Sequence, residues 1–320
     1  VGDHVMVNLT ATSLDLGTGG YDFVIVIDRK AVPDFDGSLL DYGHVMKLRY
    51  TPMQREVPAI EEQDSPFHDV IETASSLDGM PVICCELHSQ VPLAAAAVKK
   101  LKPDARIVYC MTDQAALMFA FSDLAKSCKE SGLLDQTITC GQALGGDYEA
   151  VNLHSGLLAA RVALDADIVI VSIGPGIVGT ATMFGHGGVA QAEAVNAVAA
   201  LGGLPISVLR LSFAEERPRH YGVSHHTLAV LARLTLAKSV VPLPANLEPD
   251  ELEAVRDELV RYHIDQKHEI VEVPFNADNI DMRGVEVTTM GRAYDDDPAF
   301  FKAAWAAGLC GGQALLSEQK

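Results

Sequence analysis

Positive charge is scarce in this sequence: 24 lysines and arginines stand against 43 aspartates and glutamates, a formal net charge of -19 at pH 7. Proteins that grip a nucleic-acid backbone need a basic surface or a long basic stripe to neutralise its phosphates, so nucleic acid is not expected as a partner. A small anion in a local basic pocket is still compatible with that charge. The six cysteines, Cys84, Cys85, Cys110, Cys128, Cys140 and Cys310, show no C-x-x-C spacing and sit in apolar surroundings, which reads as reduced thiols in a cytoplasmic chain. Long apolar runs are missing too. None reaches the ~18 residues of a membrane span, and no charged start leads into an apolar signal core, so no membrane is expected as a partner. Internal repeats and low-complexity tracts are absent. The sequence begins at Val1 rather than methionine, so a natural N-terminal stretch is expected to precede it.

Against these absences, 48% hydrophobic residues in a chain of 320 is ordinary globular composition, enough for one large domain and a smaller one. The first segment reads as a Gly2-Asp3 turn, a strand, a glycine-rich bend at Gly17 to Gly20 and a second strand. The breaker-rich stretch KAVPDFDGSLLDYG follows, so residues 1–43 are assigned to a β-rich module with a linker. From His44 onward strands alternate with helices. HVMKLRY, PVICCEL, ARIVYCMT, QTITCG, DIVIVSIG, PISVLRLSF, SVVPLP and EIVEVPF read as strands, with helices near 66–78, 91–102, 115–131, 149–163, 189–201, 225–236 and 249–263. Short, continuously apolar strands suit a sheet covered on both faces, and the helices are long enough for right-handed crossovers. The expected fold is α/β, a mostly parallel, doubly wound, Rossmann-like sheet over 44–320 beside the small N-terminal β module. Asp295, Asp296 and Asp297 ahead of Pro298 read as a helix start rather than as catalytic carboxylates.

Ligands of an open parallel sheet sit outside the carboxyl ends of its strands, and here the residues after the strands are polar. His88, Ser89 and Gln90 follow one strand, and Thr112, Asp113 and Gln114 the next. Cys140, Gly141 and Gln142 follow a third, then Asp147 and, in the next helix, Asn152 and His154; Arg210 and Ser212 end another strand. After DIVIVSI come Gly174, Gly176 and Gly179 in G-x-G-x-x-G spacing, which would fit a dinucleotide site. Three more glycines intervene before a helix begins near Val189, and Arg210 stands where an acidic ribose ligand belongs. NAD is therefore disfavoured, while the arginine leaves NADP open. A loop whose backbone N–H groups cradle an anion, Gly174 to Thr180, fits better, and tight strand-to-helix packing is the bland alternative.

In RPRHYGVSHHT, Arg217, Arg219 and His220 form a local cationic cluster, and Ser224 is a credible N-cap that places His225 and His226 in a first turn. Such imidazoles should be neutral, fit to donate to an oxyanion, act as a base or bind metal, although adjacent helical residues point ~100° apart and would not be expected to share an ion. His88, Asp113, Asp147 and His154 could instead converge on a metal from separate strand ends, with no HExxH or HxH spacing to signal it. A Ser89 nucleophile lacks the glycines of a nucleophile elbow, and Cys140 reads as a buried strand residue.

Together GHVMKLRYTP, EEQDSPFHD, GMPVICCELHSQ, ITCGQALGGDYEAVNLHSGLLAA, IGPGIVGT, RPRHYGVSHHT and TTMGRAYDDDPAFF resemble a family of bacterial proteins described only as a domain of unknown function. The resemblance spans essentially the whole chain and implies a short β-rich segment before an α/β body, with no activity to carry over. The functional expectation is an enzyme acting on a small anionic, phosphorylated or nucleotide-like ligand. Gly174, Gly176, Gly179, Thr180, Arg217 and Arg219 would bind it, and His88, Asp113, Asp147, His154, His225 or His226 would supply acid–base chemistry. A non-catalytic ligand sensor or scaffold and a metal-dependent hydrolase are the alternatives. Cofactor and metal identity stay open, as does a homo-oligomer.

Overall fold

A computed structural model describes residues 2–14, 22–28 and 43–317. The chain divides into two units, residues 1–41 and 42–320. In the first, strands His4–Asn8 and Phe23–Asp28 pair antiparallel, and their apolar side chains, Val5, Met6 and Val24 to Ile27 among them, are exposed. The glycine-rich bend and all but the last residue of the expected linker lie outside the described residues.

The second unit is built on one sheet of eight parallel strands. In chain order these are β1 (Pro81–Cys84), β2 (Ile107–Thr112), β3 (Gln136–Cys140), β4 (Tyr148–Ala150), β5 (Ile168–Ile173), β6 (Leu204–Ser207), β7 (Val240–Pro244) and β8 (Glu269–Val273), and across the sheet they run β8-β7-β6-β1-β5-β2-β3-β4. The principal helices are α1 (Gln90–Leu101), α2 (Asp123–Glu130), α3 (Leu153–Val162), α4 (Ala190–Ala200), α5 (His225–Ala229), α6 (Pro249–Arg261) and α7 (Pro298–Ser317). Continuous apolar strands form because successive side chains point to opposite faces and both faces are covered. In β5, Ile168 and Ile170 pack with α1 and α7, while Val169 and Val171 pack with α3 and α4. The alanines of α1 let α7 come close: a Cβ at Gly308 would run into the Ala94 carbonyl oxygen.

This order makes the sheet doubly wound. β1 and β5 are neighbours, yet the helices that follow them, α1 and α4, lie on opposite faces. Their carboxyl ends therefore flank the topological switch point, where the crossovers part and leave a crevice. Thr112 of β2 pairs with Ile173 of β5, so Asp113 and Gly174 leave adjacent strand ends.

Several local expectations differ from what forms. Val45–Lys47 does not enter the main sheet but pairs antiparallel with Arg55–Val57. Residues 149 and 150, read as the start of a helix, belong to β4, which lies parallel to β3 after a loop of only 141–147. Parallel neighbours usually need a dozen or more connecting residues. Here Gly141 turns the chain at φ +67°, and the buried Lys47 ammonium clamps Thr139, Ala143 and Glu149 together. The helix expected over 66–78 is the short His68–Glu72, and the one over 225–236 begins as α5 and continues as a π-helical turn, Val230–Leu234. Pro298 does open α7.

Candidate functional site at the switch point

Two residues beyond β1, Glu86 is buried, and three beyond the paired end of β6, so is Arg210. Arg210 reaches the Glu86 carboxylate at 3.2 Å. Thr227 donates its hydroxyl to the other carboxylate oxygen at 2.6 Å, and His226 Nδ1 lies 3.2 Å from the first. Burial by itself would raise the Glu86 carboxyl, but the His226 hydrogen bond, the Arg210 charge and the Thr227 hydroxyl together hold it at about 2. Arg210 also lies 3.3 Å from His226 Nδ1, so that nitrogen is engaged by both members of the Arg210–Glu86 pair.

His226 stands where it does because Ser224 caps α5: the serine hydroxyl oxygen accepts the His226 backbone N–H. The same hydroxyl lies 2.8 Å from Nδ1 of His220, which arrives from the short turn Pro218–His220. His225, beside them, has a buried Nε2 with no hydrogen-bond partner. One ring nitrogen from each of His220, His225 and His226 lies within 4.8 Å of the other two. The ~100° divergence expected of adjacent helical residues does not keep His225 and His226 apart. Their ring centroids are 4.4 Å from one another, because the side-chain torsions of a first turn are free to swing both rings toward the same side. His186 stacks on His226 with centroids 3.7 Å apart and planes 4° from parallel. Burial pushes His225 down to about 4 and His220 to about 3, so both rings are neutral at pH 7.

Arg210, Arg217, Arg219, His220 and His226 line one cavity of about 90 Å³, which Ile177 to Gly179, Ala181 and Met290 also line. Arg217 is held by a two-point ion pair to Glu215 at 2.8 and 2.7 Å, which Arg292 also approaches. Arg219 is exposed and makes no ion pair among the described residues.

The glycine motif is not followed by a helix. Gly179 pairs with His186 across a small hairpin in which Thr180 donates its N–H to Gly185 and its hydroxyl lies against Thr182. The chain turns helical only at Gly187–Val189 and α4, so the strand–turn–helix context of a dinucleotide fingerprint is missing. Gly174 is a packing glycine, since a Cβ there would collide with the Ala116 carbonyl oxygen. Gly176 has φ +95° and open space around it. Gly179 faces the His226 ring, 3.4 Å from where its Cβ would be.

The other sequence candidates lie elsewhere. His88 is in the core, bonded to Ser122 at 2.6 Å and Tyr109 at 3.0 Å, and burial lowers it to about 4. Asp147 precedes β4, at the end of the strand away from the crevice, where it accepts from Thr137 and Lys129. Asp113 and His154 do share a cleft of about 400 Å³, with Thr112, Cys140 and Glu193, and one Asp113 oxygen holds the Gln142 N–H at 2.8 Å. Sequence reasoning missed Glu86 and His186. A carboxylate placed directly after an apolar strand, as in VICCEL, was the available signal for Glu86.

No helix among the described residues is long and apolar enough to cross a membrane. No curated protein and no solved structure matches the chain. The family model described as Protein of unknown function (DUF3866) matches residues 1–308, and the chain belongs to that family.

Proposed function

We propose that this chain is an enzyme that holds a small ligand by an anionic group, of phosphate or carboxylate type, at the carboxyl ends of β1, β5 and β6. The observation that carries this reading is the convergence of Arg210, Arg217 and Arg219 with His220 and His226 on one cavity of about 90 Å³, in a chain with formal net charge -19. Ligand pockets for whole molecules run to roughly 300–1,000 Å³, so the cavity takes a group and the remainder of the ligand lies outside it. The His220 and His225 rings, neutral at pH 7 and gathered with His226 at a switch point, support a reactive wall rather than a passive one. Arg219 supplies charge not already committed to a carboxylate, and Arg217 a guanidinium pre-set by Glu215 for two-point binding.

The test is calorimetric titration of wild-type protein with inorganic phosphate and with sugar phosphates and nucleotides, followed by turnover assays on whatever binds. Arg219→Ala should weaken binding by about 1–3 kcal/mol and flatten its salt dependence, with melting temperature unchanged because the side chain is exposed. Arg217→Ala should weaken binding and also lower stability, since it leaves Glu215 short of a partner. Anion binding that ignores both substitutions overturns the reading. A ligand bound tightly and returned unchanged would favour a sensor over an enzyme.

A further inference from the structure

Beyond the anion site, the histidine cluster carries a second inference. We propose that His220, His225 and His226 bind a single divalent transition-metal ion of the zinc class. One nitrogen from each ring lies within 4.8 Å of the others. A tetrahedral ion at about 2.0–2.1 Å from each nitrogen needs them about 3.4 Å apart, so side-chain rotations that move ring atoms by roughly an ångström close the set.

The free nitrogens are the ones such an ion needs. His226 Nδ1 is engaged by Glu86 and Arg210, which leaves Nε2 as the nitrogen for an ion. His220 Nδ1 is committed to Ser224, leaving its Nε2. His225 Nε2 is buried and bonds to nothing. A buried ring nitrogen without a partner costs free energy, and a metal ion removes that cost. The surroundings match those of metal-ligating histidines, whose second nitrogen is normally held by a carboxylate or another polar group. Glu86 does this for His226, and stacking on His186 fixes the plane of the ring.

The donor set also selects the ion. Three imidazoles without a carboxylate or thiolate suit zinc, cobalt or nickel, whereas magnesium and calcium require oxygen donors. Three protein ligands leave a coordination position open, as in catalytic rather than structural zinc sites. His220 and His226 also line the arginine cavity, so that position would suit an oxygen of the anion held there. The competing account is that the rings are held by capping, stacking and the Arg210–Glu86 pair alone.

The experiment uses untagged protein, stripped with chelator and dialysed, then titrated with Zn2+ by calorimetry and with Co2+ by visible absorption. One ion per chain and the intense d–d bands of tetrahedral Co2+ are expected. His220→Ala and His225→Ala should each weaken binding at least tenfold and abolish the cobalt bands. His263→Asn, at an exposed histidine outside the cluster, should leave both intact. Circular dichroism checks that the variants are folded, and the wild-type titrations stand without them. Absence of stoichiometric binding to wild type, or binding that survives both cluster substitutions, overturns the proposal. Phosphate titration of the metal-free protein separates this from the anion reading: binding that persists there while Zn2+ fails to bind sinks the metal site and leaves the arginine site standing.

Discussion

Lys47→Met should be among the most damaging substitutions in this protein. Lys47 is 1% exposed, and its ammonium donates to Thr139 O at 2.9 Å, Ala143 O at 2.6 Å and Glu149 Oε2 at 2.7 Å, so all three donors are used. Glu149 in turn accepts from the Thr139 hydroxyl and the Gly145 N–H, both at 2.7 Å. Methionine keeps the stem and removes the charge, leaving a buried carboxylate without its counter-ion and taking the ammonium donor from two carbonyls. Breaking a buried pair from one side costs about 3–5 kcal/mol, a fall in melting temperature of roughly 5–15 °C for a chain of this size. The double variant Lys47→Met/Glu149→Gln should lose less than the sum of the two single variants, with a coupling of about 1–3 kcal/mol. Calorimetry and near-ultraviolet circular dichroism give the melting temperatures. Repeating them in high salt should leave the difference unchanged, because the pair is shielded from mobile ions. A loss below about 1 kcal/mol, or strict additivity, would falsify the claim that this clamp holds the short β3–β4 connection.

Three further outcomes follow from the packing. The folded-state pKa of His88 is lowered by burial to about 4, against ~6.5 for the unfolded chain. Between those values only the unfolded chain takes up the proton, so stability is intact above pH ~6.5 and falls as pH drops toward 4, by about 3 kcal/mol from this residue. His88→Gln should flatten the decline measured by urea unfolding at a series of pH values, and identical slopes for the two proteins would rule this out. Gly308→Ala pushes a Cβ into the Ala94 carbonyl and should cost about 1–3 kcal/mol; an unchanged melting temperature would mean that α1 and α7 are less tightly packed than described. Gly176→Ala meets no atom within 4 Å but sits at φ +95°, so it should cost about 1 kcal/mol through backbone strain alone, and a stabilised variant would contradict the assigned conformation.

What the sequence determined by itself is local and periodic. The run DIVIVSI specifies a strand buried on both faces because its residues are apolar without alternation, and that pattern led to the parallel, two-sided sheet now seen in β5. Ser224 ahead of an apolar stretch specified a cap, which acts on the nearest backbone N–H groups, and Pro298 after three aspartates specified a helix start, where its fixed φ suits the first turn. Tertiary structure alone decided which strand ends meet. Glu86 and His226 are 140 residues apart in the chain and 3.2 Å apart in space, and Lys47 reaches Glu149 across 102 residues. The first distance depends on the order β6-β1-β5 and the second on β4 lying beside β3, and strand order is a global choice among crossovers that no local pattern encodes. The same choice sent His88 into the core and Asp147 to the far end of its strand, while His220, His225 and His226 came to one point beside Arg217 and Arg219. Charge, capping and periodicity are read from neighbours along the chain; a site assembled from the ends of separate strands exists only once the sheet has closed around it.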